Sequence, residues 1–227
     1  MTIAQPATTQ PKRLAYVGLC LALVAPWLID GLFGAPLRND PAQITWALIR
    51  SWGVTIALLL WVVYAERLPL SSIGVRRMTG RDVAWGVGGF VVGVLSFGLT
   101  MPLVNALGLG NTNGGIAQLA QIPLLLRLAI VLTAGISEEI LFRGYPIERL
   151  AALTGNRNLG AAMAYLVFVA LHIPLWGLGG TIQIGVWSLV VTFVYLRRRN
   201  LLACMLMHVL NDGFAFIVVP WLMGLAR

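Results

Sequence analysis

Apolar runs long enough to cross a bilayer follow one another along the chain with only short polar breaks, and no other feature limits its folding so severely. A spanning helix needs about 20 mostly apolar residues at about 1.5 Å of rise each. The runs and their glycine, proline and charged breakers give seven candidates, roughly 14–34, 46–66, 82–104, 121–143, 158–175, 181–196 and 200–221. Of 227 residues, 59% are hydrophobic and 11% charged, far more apolar than a soluble domain of this size requires. The expectation is an all-α fold: a polytopic transmembrane helical bundle of about seven spans, with room for an eighth. A polar tail over residues 1–13 precedes a single membrane domain over 14–227. No length remains for a soluble catalytic domain, so any chemistry must come from side chains on the spans.

The net charge of +8 does not point to nucleic acid, because the basic residues form no long run interleaved with aromatics. They fall at span ends instead. With the N-terminus in the cytoplasm, the inner segments hold Lys12 and Arg13; Arg67, Arg76, Arg77 and Arg81; Arg143, Arg149 and Arg157; and Arg197, Arg198 and Arg199, which is 12 of the 16 basic residues. The outer segments LGLGNTNGG and IPLWGLGG hold none, and this asymmetry sets the orientation by the positive-inside rule. LGLGNTNGG lacks the spacing of a phosphate cradle and reads as a flexible loop. Cys20 and Cys204 lie far apart in separate apolar runs, so neither a disulfide nor a CxxC metal site is expected. Gly89 and Gly93 stand at GxxxG spacing, which permits close helix approach in lipid.

Against this background GISEEILFRG, residues 135–144, is anomalous. A charged side chain at the bilayer centre costs about 2.5–3.5 kcal/mol on insertion scales, so such groups normally face a polar cavity. Arg143 follows Glu139 by four residues, within reach of its carboxylate on a helix. One glutamate can then be held ionised by Arg143 while its neighbour remains free to exchange a proton. The chain's two histidines, His172 and His208, also lie inside apolar runs. At about 1.5 Å per residue they sit about 21 and 11 Å from the inner face. The glutamates join that layer only if their helix continues past Arg143 to about residue 152, with a kink at Pro146.

These residues carry a family pattern. EEILFR at 138–143 resembles an EExxxR motif, FVALH at 168–172 resembles FxxxH, and HVLND at 208–212 resembles HxxxN/D. Together they resemble the CAAX-protease and bacteriocin-processing family of intramembrane proteases, also called the Abi family, over a core of about residues 120–221. The resemblance implies hydrolysis of a peptide bond within the membrane. Glu138 and His172 would polarise a water, Glu139 and Arg143 would order the site, and His208 with the last motif position would stabilise the oxyanion. That last position is Asp212, where asparagine is common in the family, and Asn211 precedes it. An ionised aspartate cannot donate to an oxyanion. Asp212 is therefore protonated, or orients His208 as an acceptor, or leaves the donor role to Asn211.

A divalent metal such as zinc is also compatible with the residue types, through Glu139, His172 and His208, although no HExxH helix is present. The implied partners are the lipid bilayer and a membrane-embedded or lipidated peptide or protein substrate, and the implied location is a prokaryotic cell membrane. Two other classes fit charged groups in spans: a proton-coupled transporter, and a non-catalytic scaffold or immunity protein of the same fold.

Overall fold

Short side-chain caps start four of the helices. Asp40 accepts from the amides of Ala42 and Gln43, Thr79 and Asp82 form a reciprocal capping box, and Asn156 and Asn200 accept from amides in the turns that follow them. A computed structural model describes residues 11–33 and 40–225. Among the described residues there is no β-strand, and the expected all-α architecture is present. The proposed tail over 1–13 lies outside the described residues except at its end, where helix already begins at Lys12. The helices are α1 (12–33), α2 (41–65), α3 (80–106), a short α4 (113–119), α5 (124–154), α6 (157–176), α7 (178–198) and α8 (201–222).

Among the described residues, five helical stretches are long and apolar enough to cross a membrane: Lys12–Ile29, Pro41–Ala65, Gly80–Ala106, Arg157–Arg198 and Leu201–Leu222. The fourth is not straight. Gly177 has φ 66° and ψ 178°, a region open essentially to glycine alone, and it divides the stretch into α6 and α7. Straight helix would separate residues 165 and 185 by about 30 Å, yet the Tyr165 hydroxyl donates to the Gly185 carbonyl at 3.3 Å. The ends of both arms remote from Gly177 also reach one carboxylate, Glu148, from Arg157 at 3.8 Å and Arg199 at 2.5 Å. The chain thus folds back at one residue, within the break expected between the fifth and sixth runs. Gly177→Ala is expected to cost about 1–3 kcal/mol through backbone strain alone, because open space surrounds the position. Unfolding in detergent micelles measures this.

The glycines of α3 do what their spacing suggested. A Cβ at Gly86 would lie 2.8 Å from the Ala203 carbonyl oxygen, one at Gly89 2.7 Å from the Met207 sulfur, and one at Gly93 2.8 Å from the Trp187 ring. Backbone contact along this stripe seats α3 against α7 and α8. The outer segment read as a flexible loop is partly helical over Asn113–Leu119. The Thr112 amide and hydroxyl both donate to the buried Gln183 side-chain oxygen at 3.0 and 3.2 Å, tying this segment to α7.

At the opposite, basic end, Glu66, Asp82 and Glu148 are each withdrawn into an arginine contact. Arg149 pairs with Glu66 at 2.6 Å, Arg198 with Asp82 at 2.9 Å, and Arg199 with Glu148. The Tyr145 hydroxyl also donates to Glu66, at 2.7 Å. Cys20 is exposed and Cys204 buried, both as free thiols.

Candidate active site

Helix α5 carries the three charges and, as the depth argument required, runs unbroken past Arg143 to Thr154. It is not regular α-helix. Ala134–Glu138 and Ile140–Gly144 form two π-helical turns, the second ending just ahead of Pro146. Proline removes an amide donor and crowds the carbonyl four residues back, and a widened turn before it relieves that crowding. Such turns recur at functional sites because they rotate side chains away from the register of an α-helix.

Glu139 is fully buried and Arg143 nearly so. Arg143 Nη1 donates to Glu139 Oε1 at 3.1 Å, the expected four-residue pair. The same oxygen lies 2.7 Å from His208 Nδ1 on α8. A carboxylate only accepts, so Nδ1 carries the proton of this bond. Arg143 Nη2 donates to the Ser188 hydroxyl on α7 at 2.7 Å, and the guanidinium carbon lies 3.8 Å from the centroid of the Phe168 ring on α6. Four helices therefore meet around one guanidinium.

The motif residues divide into two layers. Glu138, His172, His208, Asn211 and Asp212 line a cavity of about 350 Å³. Glu139 and Arg143 lie behind it. His208 Nε2 faces Asp212 Oδ2 at 3.4 Å and Glu138 Oε2 at 4.0 Å. The Asn211 side-chain amide donates to Asp212 Oδ1 at 3.3 Å, so Asp212 stands between an amide donor and the imidazole. His172 Nδ1 lies 2.8 Å from the Phe168 carbonyl; it must donate there, which leaves Nε2 of the neutral ring with a free lone pair. Apart from Thr112 and Asn113, the remaining walls are apolar and include Ile44 and Leu48 of α2, Phe97 and Met101 of α3, and Phe216 of α8.

The metal set Glu139, His172 and His208 does not assemble. Among the described residues no group of three or more His, Cys, Asp or Glu side chains is placed to hold an ion. Glu139 Oε1 is committed to Arg143 and to His208 Nδ1. His172 Nδ1 is committed to a backbone carbonyl. Glu139 and His208 thus serve each other, and His172 a backbone carbonyl, in place of a common centre.

Residues 120–214 match the family model described as Type II CAAX prenyl endopeptidase Rce1-like. The match covers 95 of the 227 residues. This span includes all three motifs, so the resemblance read from the sequence and the match agree. The Rce1-like family is one of proteases, which supports a peptidase. No curated protein and no solved structure matches the chain. Cavity residues Ile44, Leu48, Phe97 and Met101 come from helices that precede the Rce1-like segment.

Sequence reasoning missed Ser188 and gave Phe168 no task. The only signal for Ser188 was a hydroxyl within the apolar run GVWSLVV. The close crossing of α5 and α8 was also unforeseen. A Cβ at Gly135 would stand 2.4 Å from Val209 Cγ2 and 3.1 Å from the Val209 amide nitrogen. Gly135 lies one turn before Glu139, and Val209 follows His208. Gly135→Val is expected to force the helices apart at the Glu139–His208 contact, with an overpacking cost of about 1–3 kcal/mol and loss of function. Unfolding midpoints and activity of the purified variant check both.

Proposed function

We propose that the protein is an intramembrane endopeptidase that hydrolyses a peptide bond in a membrane-associated or lipidated precursor by glutamate- and histidine-activated water. The carrying observation is the two-layer site: Glu138 and His172 border the cavity, while Glu139, fixed by Arg143, holds His208 from behind. In this reading Glu138 and the free Nε2 of His172 polarise a water, and Glu138 takes its proton as the oxygen bonds to the carbonyl carbon. The carbonyl π electrons move to oxygen, and His208, acting as the imidazolium with Nδ1–H anchored to Glu139, donates its Nε2–H to that oxyanion. Before the oxyanion forms, Asp212 is the acceptor that orients this Nε2–H, consistent with its 3.4 Å approach to Nε2. Collapse of the intermediate breaks the C–N bond, Glu138 returns its proton to the leaving nitrogen, and a carboxylic acid and an amine result.

We further propose that the basic end, where the Glu66–Arg149 and Asp82–Arg198 pairs lie, faces the cytoplasm. The apolar walls suit a lipid-like or aliphatic portion of the substrate beside the polar floor. The test compares membrane proteins and peptides from cells carrying the wild type or Glu138→Gln at equal expression. A precursor that accumulates only in the mutant establishes proteolysis and names the substrate. Identical profiles, with a deletion phenotype that persists, would transfer the reading to a non-catalytic scaffold. Proton-dependent flux in vesicles without cleavage would transfer it to a transporter.

A further inference from the structure

We propose that Ser188 is a positioning residue for this site: its hydroxyl fixes the Arg143 guanidinium and, through Glu139, the orientation of His208. The inference rests on the peptidase reading for its kinetic consequence but on geometry alone for its structural one. Ser188 belongs to none of the three motifs and lies at zero exposure on α7. Arg143 is also buried, at 1% exposure, so every N–H it turns inward needs an acceptor. Nη1 has Glu139, and Nη2 has the Ser188 oxygen at 2.7 Å. The Phe168 ring supports one face of the guanidinium, 3.8 Å from centroid to carbon. The ring fixes the plane, whereas rotation within that plane is stopped by Ser188 on one side and Glu139 on the other.

The consequence passes along a short series of contacts. Arg143 and His208 share Glu139 Oε1. A guanidinium that loses its second acceptor will turn to find another, carrying the carboxylate with it and loosening the 2.7 Å bond to Nδ1. Trp187, beside Ser188 in sequence, packs edge-on against the His208 ring at 4.6 Å between centroids. One stretch of α7 thus supports the imidazole by packing and anchors, through Ser188, the group that holds it.

The chain has two histidines, so selective ¹⁵N labelling of histidine gives two ring systems, which a His172→Gln variant assigns. Ser188→Ala removes only the oxygen and is expected to move the His208 ring resonances more than those of His172. On a cleaved substrate it should lower kcat by about tenfold to a hundredfold, the rate equivalent of one hydrogen bond to a charged group, with KM unchanged. Ser188→Cys, which keeps a weak acceptor, should fall between the two. Unchanged His208 resonances and unchanged kcat per folded molecule would overturn the proposal, even if the variant melted earlier. A resonance shift in a protein that cleaves nothing would leave the positioning role standing and remove the peptidase reading.

Discussion

Glu138→Gln is expected to lower the rate of peptide-bond cleavage by about 10²–10⁴-fold, the range a positioned general base contributes, while leaving the protein folded and inserted. The separation of effects follows from the site's two layers. Glu138 has a 29% exposed side chain and borders the cavity; among its contacts, His208 Nε2 at 4.0 Å is too distant for a hydrogen bond. Glutamine preserves the shape of the side chain but cannot accept a proton from water at neutral pH. Unfolding in micelles should therefore be nearly unchanged while turnover collapses. His172→Ala should act in the same direction, since the Nδ1 bond to the Phe168 carbonyl leaves Nε2 as an acceptor on the cavity wall. Cleavage at the wild-type rate by Glu138→Gln would exclude this carboxylate as the base and direct attention to Asp212.

Much of this arrangement was legible because it depends on helical periodicity. EExxxR places Glu139 and Arg143 one turn apart, and FxxxH places the His172 ring 4.3 Å from that of Phe168. The continuation of α5 past Arg143 to about residue 152 followed from requiring charged groups to reach a common depth, and the helix ends at Thr154. What could not be read depends on partners distant in sequence or on departures from the regular helix. The π-helical turns flanking Glu139 change which residues face the cavity, and no residue between 134 and 144 announces them. Ser188 matters only because α7 returns beside α6 at Gly177, so its hydroxyl meets Arg143 across 45 residues of sequence. The short α4 was read as loop because asparagine and glycine dominate its start, yet Thr112 finds its acceptor in Gln183, 71 residues away. The Glu66–Arg149 pair was invisible for the same reason: 83 residues separate its members.

Arg143→Met is expected to produce the largest loss of stability of any single substitution in the site, about 3–5 kcal/mol, because it leaves the Glu139 carboxylate buried without its cation. Glu139 is fully buried, its Oε2 has no hydrogen-bond partner among the described residues, and of its Oε1 contacts there only that to His208 would remain. Methionine fills much of the same volume, and its side chain still packs on Phe168, so the cost arises from charge rather than from a cavity. The double variant Glu139→Gln/Arg143→Met removes both charges and should regain most of the lost stability, since a neutral amide at this position can still bond His208. Activity should not return with it. His208 would then be held by a neutral amide carbonyl or would donate to none, and Ser188 would have lost the guanidinium it anchors. A double variant as unstable as Arg143→Met would show that packing around the guanidinium, and not pairing of a buried charge, holds the four helices together. One that recovered both stability and turnover would remove Glu139 and Arg143 from the ordering role and leave the cavity residues to act alone.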